Sequence, residues 1–381
     1  MKKIIYCLIL FFVGISVSFA EILNSPTWGY SVDLPEEFVL VDKNGADSYM
    51  FENAFVSSTV ILKAYKKEKF SSSLEAMETV MKQLGAEFEC AETDWRNSDC
   101  IISQFAFNLG GASNTGWAVS SLLQDSKGYV VMLCYTPTDV FYDLEQFVIS
   151  CVDSLCIDYG SYYSPGPLTS FAFPKGEVQN HTVEIAGEKI DFTLNSNDIE
   201  ADRFVVEREY SVLCLYQDSE MWVEAWQRYY RQVYKNAYSR LKIAAFNIYN
   251  RLIKTCKSEN PDIELAQKLL SWTQGFDYVR DFTSTDFTPI TASITGTGSD
   301  CDSRAMLLAC LLHHMNYDTC LFVSAEFSHS LFGIVLDKAG AKINIDGRQF
   351  LLGETTAQVD IGLVPANMNQ TDKWIFVELN N

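Results

Sequence analysis

Apolar and polar positions organise four stretches of the first 160 residues, TVILKAYKK (59–67), IISQFAF (101–107), GWAVSSLLQ (116–124) and YVVMLCY (129–135). Alternation places successive side chains on opposite faces of a pleated strand, a short apolar run fits a covered strand, and all four stretches are strand-like. Ser126, Lys127 and Gly128 are turn residues and predict a hairpin between the last two. The period changes in SSLEAMETVMKQLG, where Leu74, Met77, Met81 and Leu84 recur at steps of three and four. That spacing predicts a helix capped by Ser72 or Ser73 and stopped by Gly85. TDVFYDLEQFVISCVDSL, 138–155, predicts a second helix, and together these elements define an α+β unit over 21–160.

Both periods break in YGSYYSPGPLTSFAFPKG, which holds three prolines and three glycines, so a linker is drawn over 161–176. HTVEIAGEKIDFTL then alternates around an AGEK turn and predicts a hairpin. From 219 to 257 the pattern turns helical, with Trp222, Trp226, Tyr229, Val233, Ala237 and Leu241 on one stripe. Such a stripe serves a core more often than a stacking surface for a peptide or glycan. The region 177–260 is therefore read as packing on the domain after it, 261–381. There, PDIELAQKLLSWTQGF predicts a helix with proline in its first turn, and SDCDSRAMLLACLLHHMN predicts another, stopped at Asn316.

Composition narrows the classes of function. Residues 1–20 combine two lysines, an apolar run and a Ser-Phe-Ala end, the layout of a cleavable secretory signal. A periplasmic or secreted protein is expected. Loss of Lys2 and Lys3 would take the formal net charge from −20 to −22, a surface that repels phosphate backbones and anionic lipid. Nucleic acid is excluded as a partner on that ground. No later segment approaches the roughly 18 apolar residues of a membrane helix, so no transmembrane anchor is expected after cleavage. Cys90/Cys100 and Cys151/Cys156 are spaced to bridge and stand equally as free thiols, and no CxxC pair suggests structural zinc.

Chemistry concentrates at Cys301. With Ser299 or Asp300 as cap, it opens a helix, where the macrodipole favours a thiolate while Asp300 and Asp302 oppose it. A second source of activation is required, and the chain has four histidines. His313 and His314 lie about 18 Å further along the same helix at 1.5 Å per residue, fit for a helix C-terminus or for solvent. His181, in the middle hairpin, reads as structural. His329 opens the strand SHSLFGIVL, which is apolar on both faces and so central, and a histidine at that end can face a helix N-terminus. Two acids compete to orient it: Asp346 in IDGR, which also reads as a hairpin turn, and Glu354 at the end of RQFLLGETT.

Over 269–365 these residues resemble the transglutaminase-like cysteine hydrolases, a papain-like superfamily with bacterial peptidases and amidases. Its pattern is a Gly-Asp-Cys-Asp loop entering a Leu-rich helix, a His opening a strand, and a strand ending in an aromatic, three residues and an acid. Here those are GSDCDSRAMLLACLL, HSLFGIVL and FLLGETT, followed by IGLVP as in the bacterial branch. Ser299 is an insertion relative to that loop. The resemblance implies a nucleophile-bearing helix packed on an antiparallel sheet, with Cys301 as nucleophile, His329 as base and Glu354 as orienting acid, Asp346 in reserve. It also implies Gln274 as an oxyanion donor, no metal or cofactor, and a protein or peptide substrate of the cell envelope. The opening PTWGYSVDLPEEFVLVD and the 138–155 helix resemble the photosystem P-subunit and Mog1-like domains, which implies an accessory binding unit. Without turnover, the same fold would make a binding or scaffold protein.

Overall fold

The computed structural model describes residues 22–280, 285–296, 298–368 and 370–379; the expected signal segment lies outside them. The class is α+β, with several antiparallel sheets and helices. A short pair, β1 (Leu23–Asn24) and β2 (Ser31–Val32), precedes the first sheet. Its strands are β3 (Phe38–Asn44), β4 (Ser48–Asn53), β5 (Ser58–Lys66), β6 (Glu87–Trp95), β7 (Ser98–Leu109), β8 (Ala112–Leu122) and β9 (Gly128–Pro137). They run in the order β3-β4-β5-β9-β8-β7-β6, all antiparallel.

Helix α1 (Ser73–Leu84) starts on Ser72, whose side chain accepts from Glu75 N, and stops at Gly85 in the left-handed region. It covers one face of the sheet, with Met77 and Met81 against Tyr129, Val131 and Leu133. Helix α2 (Phe141–Asp153) covers the other, with Phe147 and Val148 in the core of Val130, Met132 and Cys134. A strand covered on both faces gains nothing from polar alternation, which is why YVVMLCY is apolar throughout. The Pro/Gly-rich segment folds back on this unit and contains α3 (Pro167–Ala172). Asp153 accepts from Leu168 N (2.7 Å) and Thr169 N (3.1 Å), and Trp95 donates to Pro165 O (2.9 Å). A Cβ on Gly166 would stand 2.4 Å from the Asp153 carboxyl carbon, so glycine is required for this close approach.

A hairpin of β10 (Val178–Ile185) and β11 (Glu188–Asn195) leads to α4 (Asp198–Leu215), α5 (Trp222–Tyr238) and α6 (Lys242–Leu252). After α7 (Pro261–Thr273) and the single turn α8 (Ile290–Ser293) comes α9 (Cys301–His314). The last sheet comprises β12 (Thr319–Ser324), β13 (His329–Val335), β14 (Lys342–Ile345), β15 (Arg348–Gly353) and β16 (Ile375–Glu378), ordered β14-β15-β13-β12-β16. One apolar core joins the hairpin, α5 and α6 to α7, α9 and this sheet. Phe332 and Ile334 of β13 face α9, while Leu331 enters a separate cluster on the far face with Phe322 and Phe350. The strand that begins with His329 is thus the middle of five, and its start lies at the N-terminal end of α9. Among the described residues no helix is long and apolar enough to cross a membrane.

Candidate active site

Cys301 is the first residue of α9. Asp300 caps the helix by accepting from Ser303 N (2.7 Å), which answers the choice between Ser299 and Asp300. Ser303 Oγ in turn accepts from Thr288 N (2.8 Å), tying the preceding loop to the helix start. The thiol is 7% exposed. Its Sγ donates to Asp302 Oδ1 at 3.2 Å, and that carboxylate also accepts from the hydroxyls of Ser330 and Tyr230. Burial first, then the charges of Asp302 and Asp300, hold the thiol well above its ordinary range, against the backbone N–H of Ser330. Asp300 itself is pushed up to about 8 by burial and by Asp302.

His329, the first residue of β13, joins its Nε2 to Glu354 Oε2 at 2.8 Å. The register that pairs Phe332 with Gly353 brings the end of β15 toward the start of β13, and Glu354 follows directly. Glu354 is 2% exposed, and its other oxygen accepts from Thr356 N (2.7 Å) and Oγ1 (2.6 Å). Burial works to raise its carboxyl, but the bonds from His329 and Thr356 outweigh it and hold the group below the usual range. Cys301 and His329 line the same cavity of about 330 Å³, walled by Trp226, Tyr229 and Tyr230 of α5. A larger groove of about 920 Å³ lies beside α7 and the β10–β11 hairpin and holds none of Cys301, His329 and Glu354.

Three expectations change. Gln274 is not an oxyanion donor, because its Nε2 gives its protons to Glu354 O (2.8 Å) and Val359 O (2.9 Å). It holds the loop that presents Glu354. Asp346 is the exposed turn between β14 and β15, with φ 49°, and Gly347 follows at φ 84°. The length of β15 separates it from Glu354, roughly 20 Å at 3.3 Å per residue, so it does not reach His329. The two histidines ending α9 are neither exposed nor a charge for the helix terminus. The ring of His313 is bonded to Tyr234 OH (2.5 Å), His314 stacks on Tyr238 at 3.7 Å, and burial lowers both.

Two further residues belong to the site. Tyr278 is brought near Cys301 by a parallel bridge to Ser299. Partial burial and the charge of Cys301 push it up to about 12, so it remains a donor at neutral pH. Arg304, 1% exposed, donates to Phe276 O (2.8 Å), Ser299 O (3.3 Å) and Thr355 O (3.3 Å). One guanidinium therefore fixes the segments that carry Tyr278, Cys301 and Glu354. No local pattern in the sequence marks either residue. The expected stripe also divides: Val233 and Ala237 of α5 and Leu241 after it are core, Tyr229 is buried at the cavity wall beside Trp226, and Trp222 is 37% exposed. All ten described cysteines are free thiols.

The chain matches no protein-family model and no curated protein. Its solved neighbours are weak. In the N-terminal region it is similar to the cyanobacterial PsbP of Synechocystis, at 13% identity and TM-score 0.30, over 38% of this chain and 95% of that one. It is also similar there to the Ran-binding protein Mog1p of Saccharomyces cerevisiae, at 10% identity and TM-score 0.28, over 38% and 98%. A protein of Bacteroides thetaiotaomicron aligns over 90% of this chain and 88% of its own, at 13% identity and TM-score 0.24.

Proposed function

We propose that the chain is an exported thiol hydrolase of the transglutaminase-like kind, a peptidase or amidase acting through an acyl-enzyme at Cys301. The observation that carries this reading is the 2.8 Å bond from His329 Nε2 to Glu354, made while His329 shares a cavity wall with Cys301. Glu354 occupies one ring nitrogen, which leaves Nδ1 to receive the thiol proton and a carboxylate to balance the imidazolium. The thiolate attacks the amide carbonyl carbon, and the Cys301 N–H and Tyr278 hydroxyl donate to the oxygen as it gains charge. The C–N bond breaks as the imidazolium protonates the departing amine. Water, deprotonated by His329, then attacks the thioester, releasing the acid and returning the thiol. Peptides or proteins of the cell envelope are the substrates that fit an exported chain.

Iodoacetamide at neutral pH tests this reading. Cys301 is expected to label through its pairing with His329, with the label lost in Cys301→Ala and slowed about 100-fold or more in His329→Ala. No labelling of Cys301, or labelling that His329→Ala leaves unchanged, sinks the hydrolase. One observation favours a second reading, a binding protein without turnover: the thiol proton is directed at Asp302. Under it, peptide binding persists while Cys301 stays unreactive.

A further inference from the structure

The β10–β11 hairpin leaves one of its two edges unspent, and the groove of about 920 Å³ lies beside it. Ala186 (φ 51°) and Gly187 (φ 79°) make a two-residue turn of the I′ kind, in which the flanking residues, here Ile185 and Glu188, exchange both backbone bonds. Alternation then sends the N–H and C=O of His181 and Val183 to β11, and those of Thr182 and Glu184 away from it. Asp191, opposite Thr182, shows the same register from the other strand, since its outward carbonyl accepts from Asn247 Nδ2 of α6 at 2.9 Å. Among the described residues β10 pairs with β11 alone, and Thr182 and Glu184 are exposed.

Thr182, Val183 and Glu184 all line the groove. Consecutive side chains of a strand point to opposite faces, so only its edge can bring all three to one cavity. The opposite wall is α7, with Ile263 and Trp272, and Phe276 beyond it. Backbone donors and acceptors that recur at every second residue match a polypeptide in the same extended form. The far wall asks for apolar side chains along one face of that polypeptide. Glu184, Glu264 and Asp360 outnumber Lys268 and Lys338 around the groove, which turns away an acidic segment. We infer that the groove takes an extended, non-acidic segment of a partner protein as a third strand against β10, with alternate apolar side chains on Ile263, Trp272 and Phe276. The inference does not depend on the hydrolase reading, because the groove holds none of Cys301, His329 and Glu354.

Random heptapeptides displayed on phage are the probe, selected on the full-length Cys301→Ala chain so that no bound peptide is cleaved. The selected sequences are then synthesised and their affinities read by calorimetry. Methylating the peptide nitrogens one at a time is expected to cost about tenfold or more at every second position and little at those between, because only alternate N–H groups meet β10. Ser271→Trp, at an exposed position of α7 inside the groove, is expected to weaken the same peptides about tenfold or more. Amide exchange at single residues is expected to find Thr182 and Glu184 open in the free chain, beside protected Val183 and Ile185, and slowed once peptide is bound. Recovery of no peptide or of acidic ones, methylation losses without alternation, or peptides indifferent to Ser271→Trp overturns the inference. Protection of Thr182 and Glu184 in the peptide-free chain also overturns it, and protection that grows with protein concentration identifies a second copy as the occupant.

Discussion

Asp302 adds to burial in holding the proton of its neighbour, since its carboxylate is 3.2 Å from the Cys301 sulfur and opposes the helix dipole at that end of α9. Asp302→Asn keeps an acceptor for Tyr230 and removes the charge. The pH at which Cys301 alkylation reaches half its maximal rate is expected to fall by about a unit or more; an unmoved profile would show that burial alone holds the proton. Glu354→Gln keeps a bond to His329 without the balancing charge, and the labelling rate at neutral pH is expected to drop about tenfold or more. The boundary positions of Cys301, His329 and Glu354 were legible because local pattern marks the element ends at which they sit. Gln274 was read wrongly because the destination of an amide proton is a tertiary fact. Tyr278 left no trace in the sequence, because it reaches Cys301 through the bridge to Ser299, 21 residues away in the chain.

At the scale of elements, α9 is buried around most of its circumference, and only Asp302, His313 and His314 of its residues escape full burial. Its start was predictable from capping, and its far end was not, because the tyrosines that enclose His313 come from α5 and from the segment before α3. Burial, reinforced by His314, lowers His313 to about 4. The unfolded chain binds a proton near pH 6.5, so it holds more protons than the folded one between the two values. Stability from this group is therefore present above pH 6.5 and lost as pH falls toward 4. Urea midpoints at pH 7, 5.5 and 4.5 are expected to decline less steeply in His313→Gln than in the native chain; parallel declines would exclude His313 as a source. Helix α4 went unread for a related reason. Val205, Val206 and Val212 face inward, yet so do Asp202, Arg208 and Glu209, and buried charge erases the apolar stripe on which periodicity depends.

Those same charges join the parts of the molecule. Arg208 meets Asp153 of α2 at 2.6 Å, and Arg228 of α5 meets Glu209 at 2.9 Å while donating to Asp33 O at 2.9 Å. The last pair is 195 residues apart in sequence, so the chain read in one dimension showed two units and a linker where the fold has a buried ionic seam. α5 bears that seam on one side and the cavity wall of Trp226, Tyr229 and Tyr230 on the other. Arg228 is 2% exposed, so Arg228→Met strands Glu209 without one of its cations. Breaking one partner of a buried pair costs about 3–5 kcal/mol. If the seam couples the two ends, heating unfolds the native chain in one transition, and Arg228→Met lowers the temperature at which both the first sheet and the Cys301 environment are lost. Circular dichroism follows the sheet, and alkylation of Cys301 follows the site. Two transitions in the native chain, with Cys301 still protected after the first, would mean that the N-terminal unit stands apart and that the seam is only an interface.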